Sequence, residues 1–157
     1  MAENIWRVYS VIIQIIMAFA ATVAFSCLFN VPYEELPYIG AVGALGWLCY
    51  LVCMSSVSNA ELATFLATVA VAWSMRVLTL FRRMPTTVFL IGGIIPFVPG
   101  AGIYNTMYAF ITGESAAAAA TGVKTVKMFG IICIAVIIVL SLPKQMFNIG
   151  VKHGIGR

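Results

Sequence analysis

The chain has 157 residues, 62% of them hydrophobic and only 9% charged, with a mean hydropathy of +1.05. A water-soluble domain of this size has no use for so much apolar surface, so the composition excludes the soluble classes and implies an integral membrane protein. The formal net charge of +4 lies mostly at helix ends and in the tail, without interleaved aromatic residues, which argues for orientation in a lipid bilayer and for no nucleic-acid partner.

Apolar runs of about 20 residues recur along the chain, the length a helix needs to cross hydrocarbon, and they lack the two-residue alternation of barrel strands. The expected fold is all-α, a polytopic membrane helix bundle of about five spans. Residues 1–142 form a single transmembrane domain, and 143–157 form a basic cytoplasmic tail with Lys144, Lys152 and Arg157.

The first span covers about 8–29 and is interrupted only by Ser10, Gln14, Thr22 and Ser26. Ala18-Phe19-Ala20 mimics a signal-peptide cleavage site. Glu3 offsets Arg7, however, and the apolar run outlasts the roughly 7 to 15 residues of a signal core, so the segment is expected to be a retained helix. Asn30-Val31-Pro32 stops it, because proline disfavours a helical residue before it. The following loop holds Glu34 and Glu35.

The second span, about 38–55, places Gly40, Gly43 and Gly46 three residues apart. Small residues at that spacing let another helix backbone approach, within the bundle or at a subunit interface, so a homo-oligomer stays open. The third span, about 59–81, is capped by Ser58-Asn59 and carries Glu61 in its first turn, where the helix dipole favours an anion. Arg76 lies inside it. Snorkelling toward the surface marked by Arg82-Arg83 is the simpler reading and a functional charge is the alternative.

The fourth span, 86–112, is long enough to cross but carries Pro96, Pro99 and four glycines near its middle. A break at Pro96-Pro99-Gly100 is tolerated in a membrane only where protein or a water-filled cavity surrounds it. With a first half ending near Ile95 and a second starting near Pro99, the N–H groups of Gly100, Ala101 and Gly102 suit a carboxylate. The carbonyls of Gly92, Gly93 and Ile94 suit a cation, and Tyr104, Asn105 and Thr106 add side-chain hydrogen bonds. Pro96, Pro99, Gly100, Ala101, Gly102, Tyr104, Asn105 and Thr106 are therefore the candidate substrate-binding residues; a kink filled by a neighbouring helix is the alternative.

The fifth span, about 116–142, begins after Glu114 with five alanines and carries Lys124 and Lys127, expected at the membrane interface with an intramembrane position as the alternative. Cys27, Cys49, Cys53 and Cys133 sit in apolar runs without a CxxC pair, and His153 is the single histidine, so no metal or cofactor is expected. No nucleophile with a base and no clustered acids point to an enzyme. Counting basic residues places the amino end outside and the carboxyl end in the cytoplasm.

The string Ile94-Ile95-Pro96-Phe97-Val98-Pro99-Gly100-Ala101-Gly102-Ile103-Tyr104-Asn105-Thr106-Met107, with Asn30-Val31-Pro32 and Gly43-Ala44-Leu45-Gly46-Trp47 upstream, resembles the threonine/serine exporter family. Length and span count resemble the small membrane component of its split, two-subunit form. Tyr33-Glu34-Glu35 stands where similar members often carry a basic residue, and Gly92 where fused members tend to have proline.

The resemblance implies a subunit of a secondary exporter in the bacterial inner membrane that moves small hydrophilic metabolites, threonine and serine or a dicarboxylate such as succinate, out of the cell. It also implies a larger membrane component as partner. Glu61, Arg76 and Glu114 are the candidate coupling charges. The alternative is a structural or assembly subunit that supports the larger component without lining the substrate path.

Overall fold

The computed structural model describes residues 2–82 and 85–143. Among these, the helices are α1 (Ala2–Leu28), α2 (Leu36–Val57), α3 (Ala60–Arg82), α4 (Thr86–Ile94), α5 (Gly100–Ile111) and α6 (Ser115–Ser141), with a 3₁₀ turn at Ile95–Phe97 between α4 and α5. The expected all-helical bundle is what forms. Arg83 and the tail residues Lys144, Lys152 and Arg157 lie outside the described residues. Helices α1, α2, α3 and α6 are each long and apolar enough to cross a membrane, and α4 with α5 makes up to a fifth crossing.

Local chemistry sets the helix ends. Asn30 takes the left-handed conformation (φ 55°) after α1, so that the Val31 N–H returns 3.1 Å to the Ser26 carbonyl. Ser58 does the same after α2 (φ 53°), its N–H reaching the Met54 carbonyl. The Asn59 side-chain oxygen then accepts the N–H groups of Glu61 (3.0 Å) and Leu62 (3.3 Å), the cap that starts α3. Gly113, at φ 81°, turns the chain from α5 into α6 while the Glu114 N–H satisfies the Ala109 carbonyl.

Helix α2 packs between α1 and α3, and α4 packs against all three. Gly40, Gly43 and Gly46 are buried. A Cβ on Gly40 would lie 2.7 Å from Phe19 and Val23 of α1, one on Gly43 would overlap the Thr22 hydroxyl, and one on Gly46 would overlap Val71 of α3. Helix α4 uses the same device, with Gly92 against Ser26 and Gly93 against Met75. Thr22 and Ser26 can face these glycines without leaving a polar group bare, because each hydroxyl donates 2.7 Å to a carbonyl of its own helix. Ile39, Val71, Met75, Phe89 and Phe97 fill the resulting core.

Helices α3 and α6 run in the same direction. Glu61, in the first turn of α3, meets Lys127 at 2.7 Å, and Arg76, further along α3, donates to carbonyls at the end of α6. A re-entrant hairpin at α4 and α5 would return the chain to the side it left and make α6 antiparallel to α3. The parallel pairing therefore requires that α4 and α5 together cross the bundle, bent by 59°.

Arg76 does more than reach for a surface. Its guanidinium donates to the carbonyls of Val139 (2.5 Å), Leu140 (2.7 Å) and Leu142 (2.5 Å). The last carbonyls of any helix lack intrahelical donors, and in apolar surroundings that loss must be met by a side chain. Arg76 lies about six residues, or roughly 9 Å, before the end of α3, so α6 ends against the flank of α3 and not at its tip. At the tip, Arg82 forms a two-oxygen ion pair with the buried Glu35 (2.8 and 3.0 Å) and lies 4.4 Å over the Tyr38 ring, which ties α3 to the start of α2.

Replacing Gly43 by alanine should lower the melting temperature of the purified chain, because the added methyl meets Thr22; overpacking of this kind costs about 1–3 kcal/mol. Gly130, beside which a Cβ meets nothing within 4 Å, should tolerate alanine without loss. Arg76→Met should destabilise by about 1–3 kcal/mol for each carbonyl it leaves bare, the Val139 carbonyl keeping the Leu142 N–H at 3.3 Å, and Arg76→Lys should recover only part of the loss because an ammonium lacks the planar fork. Thermal denaturation in detergent, read by near-ultraviolet circular dichroism, checks all four variants.

Candidate functional site at the broken crossing

The break follows from two missing donors. Pro96 has no N–H for the Gly92 carbonyl and Pro99 has none for the Ile95 carbonyl, so the α-helical ladder ends and tightens into the 3₁₀ turn. The Ile95 carbonyl takes the Val98 N–H instead (3.1 Å). Pro99 (φ −76°, ψ 63°) closes an inverse γ-turn in which the Gly100 N–H donates 2.7 Å to the Val98 carbonyl. The Ile103 N–H to the Pro99 carbonyl (3.1 Å) then opens α5. Of the three amides at this end, Gly100 is spent within the turn, while those of Ala101 and Gly102 meet no protein acceptor among the described residues.

The two halves have different surroundings. Helix α4 and Phe97 are packed into the core at mid-height, where Phe97 lies beside Gly46 and tilted against Trp47 at a ring separation of 6.2 Å. Helix α5 packs on the first half of α6, with Gly102 against Thr125 and Thr106 against Gly122. The Thr106 hydroxyl is turned inward and donates 2.7 Å to the Gly102 carbonyl. Tyr104 is 67% exposed, its ring stacked 6.1 Å from that of Tyr108, and Asn105 is exposed on the same helix.

The candidates thus divide. Gly102 and Thr106 face α6, Tyr104, Asn105, Gly100 and Ala101 face outward, and Pro96 faces the cleft between α1 and α2.

That cleft contains two residues not singled out in the chain's broken span. Gln14 of α1 and Trp47 of α2 line a cavity of about 240 Å³ together with Met17, Ala18, Ala21 and Pro96. The Trp47 indole N–H donates 3.2 Å to the Gln14 side-chain oxygen, and the Gln14 amide nitrogen donates 3.2 Å to the Ser10 hydroxyl. An amide alone in an apolar span, and an indole at mid-span whose N–H must find an acceptor, are signals visible in the sequence. What it cannot show is that they meet each other beside Pro96.

The charged candidates lie apart from this cavity. Glu61 is held by Lys127, Arg76 caps α6, and Glu114 is exposed in the turn that precedes α6. Helix α6 continues from Lys127 toward its own start for about twelve residues, or roughly 18 Å, after α3 has ended, and there α5 is its neighbour. The resulting arm exposes Ile103, Met107, Phe110, Ile111, Val123 and Val126.

No solved structure matches this chain. Residues 14–142 match the family described as threonine/serine exporter, ThrE, a stretch that runs from within the first crossing to the end of the last and takes in the glycine-lined interface of α2 and both halves of the broken segment. The chain is therefore a multi-pass membrane protein that belongs to the threonine/serine exporter family, a family of transporters and not of enzymes.

Proposed function

We propose that this chain is the membrane subunit of a secondary exporter that moves small hydrophilic metabolites, threonine and serine or a dicarboxylate such as succinate, out of a bacterial cell together with a larger membrane component. The observation that carries this reading is a crossing helix broken at mid-bundle, with one half packed in the core and the other packed mainly on a protruding helix. Discontinuous helices of this kind hold substrates in transporters, because their free amides and carbonyls face the gap. The free Ala101 and Gly102 amides are the donors here for a carboxylate.

The same geometry supports alternating access. Helices α1 to α4 form one body, α5 with the first half of α6 forms the arm, and Val98-Pro99 is the joint. The apolar arm, and the outward Tyr104 and Asn105, are surfaces for the partner component to cover, and closure against it would bring those side chains to the substrate. Glu61 with Lys127 links the two bodies and is the charge pair placed to respond to a coupling ion. In this reading the amino end lies outside and the carboxyl end in the cytoplasm, the inner-membrane orientation that leaves Arg82, Arg83 and the basic tail inside.

Efflux of labelled threonine, serine and succinate from cells carrying this chain and its partner, against cells lacking either, tests the proposal. Asn105→Ala and Tyr104→Ala should each slow efflux by roughly tenfold while the complex still co-purifies, the loss expected for one hydrogen bond to a charged group. Unchanged efflux in both variants would exclude the outward face of α5 from the substrate path. A green fluorescent protein fused after Arg157 should fluoresce if that end is cytoplasmic.

A further inference from the structure

The Gln14 amide is oriented by chemistry. The indole N–H of Trp47 is only a donor, so the atom of Gln14 that it meets at 3.2 Å must be the oxygen, and the amide nitrogen must face away from it. That nitrogen carries two hydrogens. One goes to the Ser10 hydroxyl at 3.2 Å, and the other has no protein acceptor among the described residues. A free amide donor is thereby fixed in the wall of the cavity that Pro96 closes from the side of the break.

The rest of the lining is Met17, Ala18, Ala21, Trp47 and Pro96, with no charged side chain. The volume, about 240 Å³, lies below the roughly 300–1,000 Å³ of sites for drug-sized ligands and suits a small metabolite. An apolar wall with one oriented donor is the usual composition of a small-molecule site, and the half-exposed Gln14 amide can be reached from outside the bundle.

From these observations we infer that Gln14, locked by Trp47, is a substrate-binding residue, and that its free N–H donates to a carboxylate oxygen of a small metabolite held in the cavity between α1, α2 and Pro96. The inference rests on the transport reading above but places the ligand's carboxylate on a side chain of α1, where the broken span alone would place it on the α5 amides. Trp47 is a positioning residue in this arrangement. Without its N–H the amide is free to turn, and the donor is no longer presented to the cavity.

A variant with Trp6→Phe and Trp73→Phe leaves Trp47 as the only tryptophan in the chain and turns it into a reporter of the cavity. In nanodiscs carrying the full complex, its emission should change saturably with L-threonine, L-serine or succinate, but not with serinol, which keeps the amine and hydroxyl and lacks the carboxylate. Which carboxylates respond separates an amino-acid ligand from a dicarboxylate. No response to any of the three, or an equal response to serinol, overturns the assignment of Gln14.

In proteoliposomes, Gln14→Met should raise the KM for the responsive carboxylate by at least roughly tenfold with little change in kcat, and Trp47→Phe should raise it by less. An unchanged KM in Gln14→Met overturns the assignment even if export is intact. If the wild-type complex exports none of the three compounds, the transport reading fails, while the emission titration still decides whether Gln14 binds a carboxylate.

Discussion

A peptide group without a hydrogen-bond partner costs several kcal/mol in hydrocarbon, and the architecture of this chain is organised around two places where the helical ladder cannot supply one. At the break, Pro96 and Pro99 remove the donors for Gly92 and Ile95, and the chain answers locally with a 3₁₀ turn and a γ-turn. At the end of α6 the answer is tertiary, since Arg76 of α3 reaches across to three carbonyls. The guanidinium is well suited to this because its five donors lie in one plane. The two solutions differ in consequence. A local turn leaves the following helix free to choose its direction, whereas a cross-helix cap holds two helices in register.

Helix α6 inherits both behaviours. Its second half is bound to α3 through Arg76 and the contact of Val139 with Ala72 and Leu90, and its first half belongs to α5. One continuous helix therefore joins the packed body to the arm. Helix α5 in turn is packed on α6 through small residues, Gly102 against Thr125 and Gly122 against Thr106, the device that α1 and α2 use at Gly40 and Gly43. The packed body and the arm are thus connected twice, by the proline-interrupted turn at Ile95–Pro99 and by the unbroken α6.

Much of this was legible from residue patterns. The spans follow from the length of the apolar runs, the cap of α3 from Asn59, and the break from two prolines within four positions. The glycine spacing on α2 marked a close approach, although Gly40 and Gly43 turn to α1 while Gly46 turns to α3, because three-residue steps drift around a helix of 3.6 residues per turn. The reading of Arg76 as a snorkelling side chain fell short because its partners are main-chain carbonyls more than sixty residues away, and any residue type could have supplied them. The cavity was missed for a related reason. Gln14 and Trp47 are separated by 33 positions and announce themselves individually as polar groups in apolar runs, with nothing to say that each satisfies the other.

Composition and local order by themselves determined that this chain lives in a membrane, that it is helical, where each helix stops and where the fourth crossing is interrupted. These are properties of short windows, fixed by hydrophobic length, by proline's missing N–H and by the few residues that accept a positive φ. Only the tertiary structure decided that α3 and α6 are parallel and hence that the broken segment crosses, that its halves belong to different bodies, and that Gln14 presents a donor beside Pro96. Those outcomes depend on which helix faces meet, and the energy that selects them comes from contacts between residues far apart in the chain.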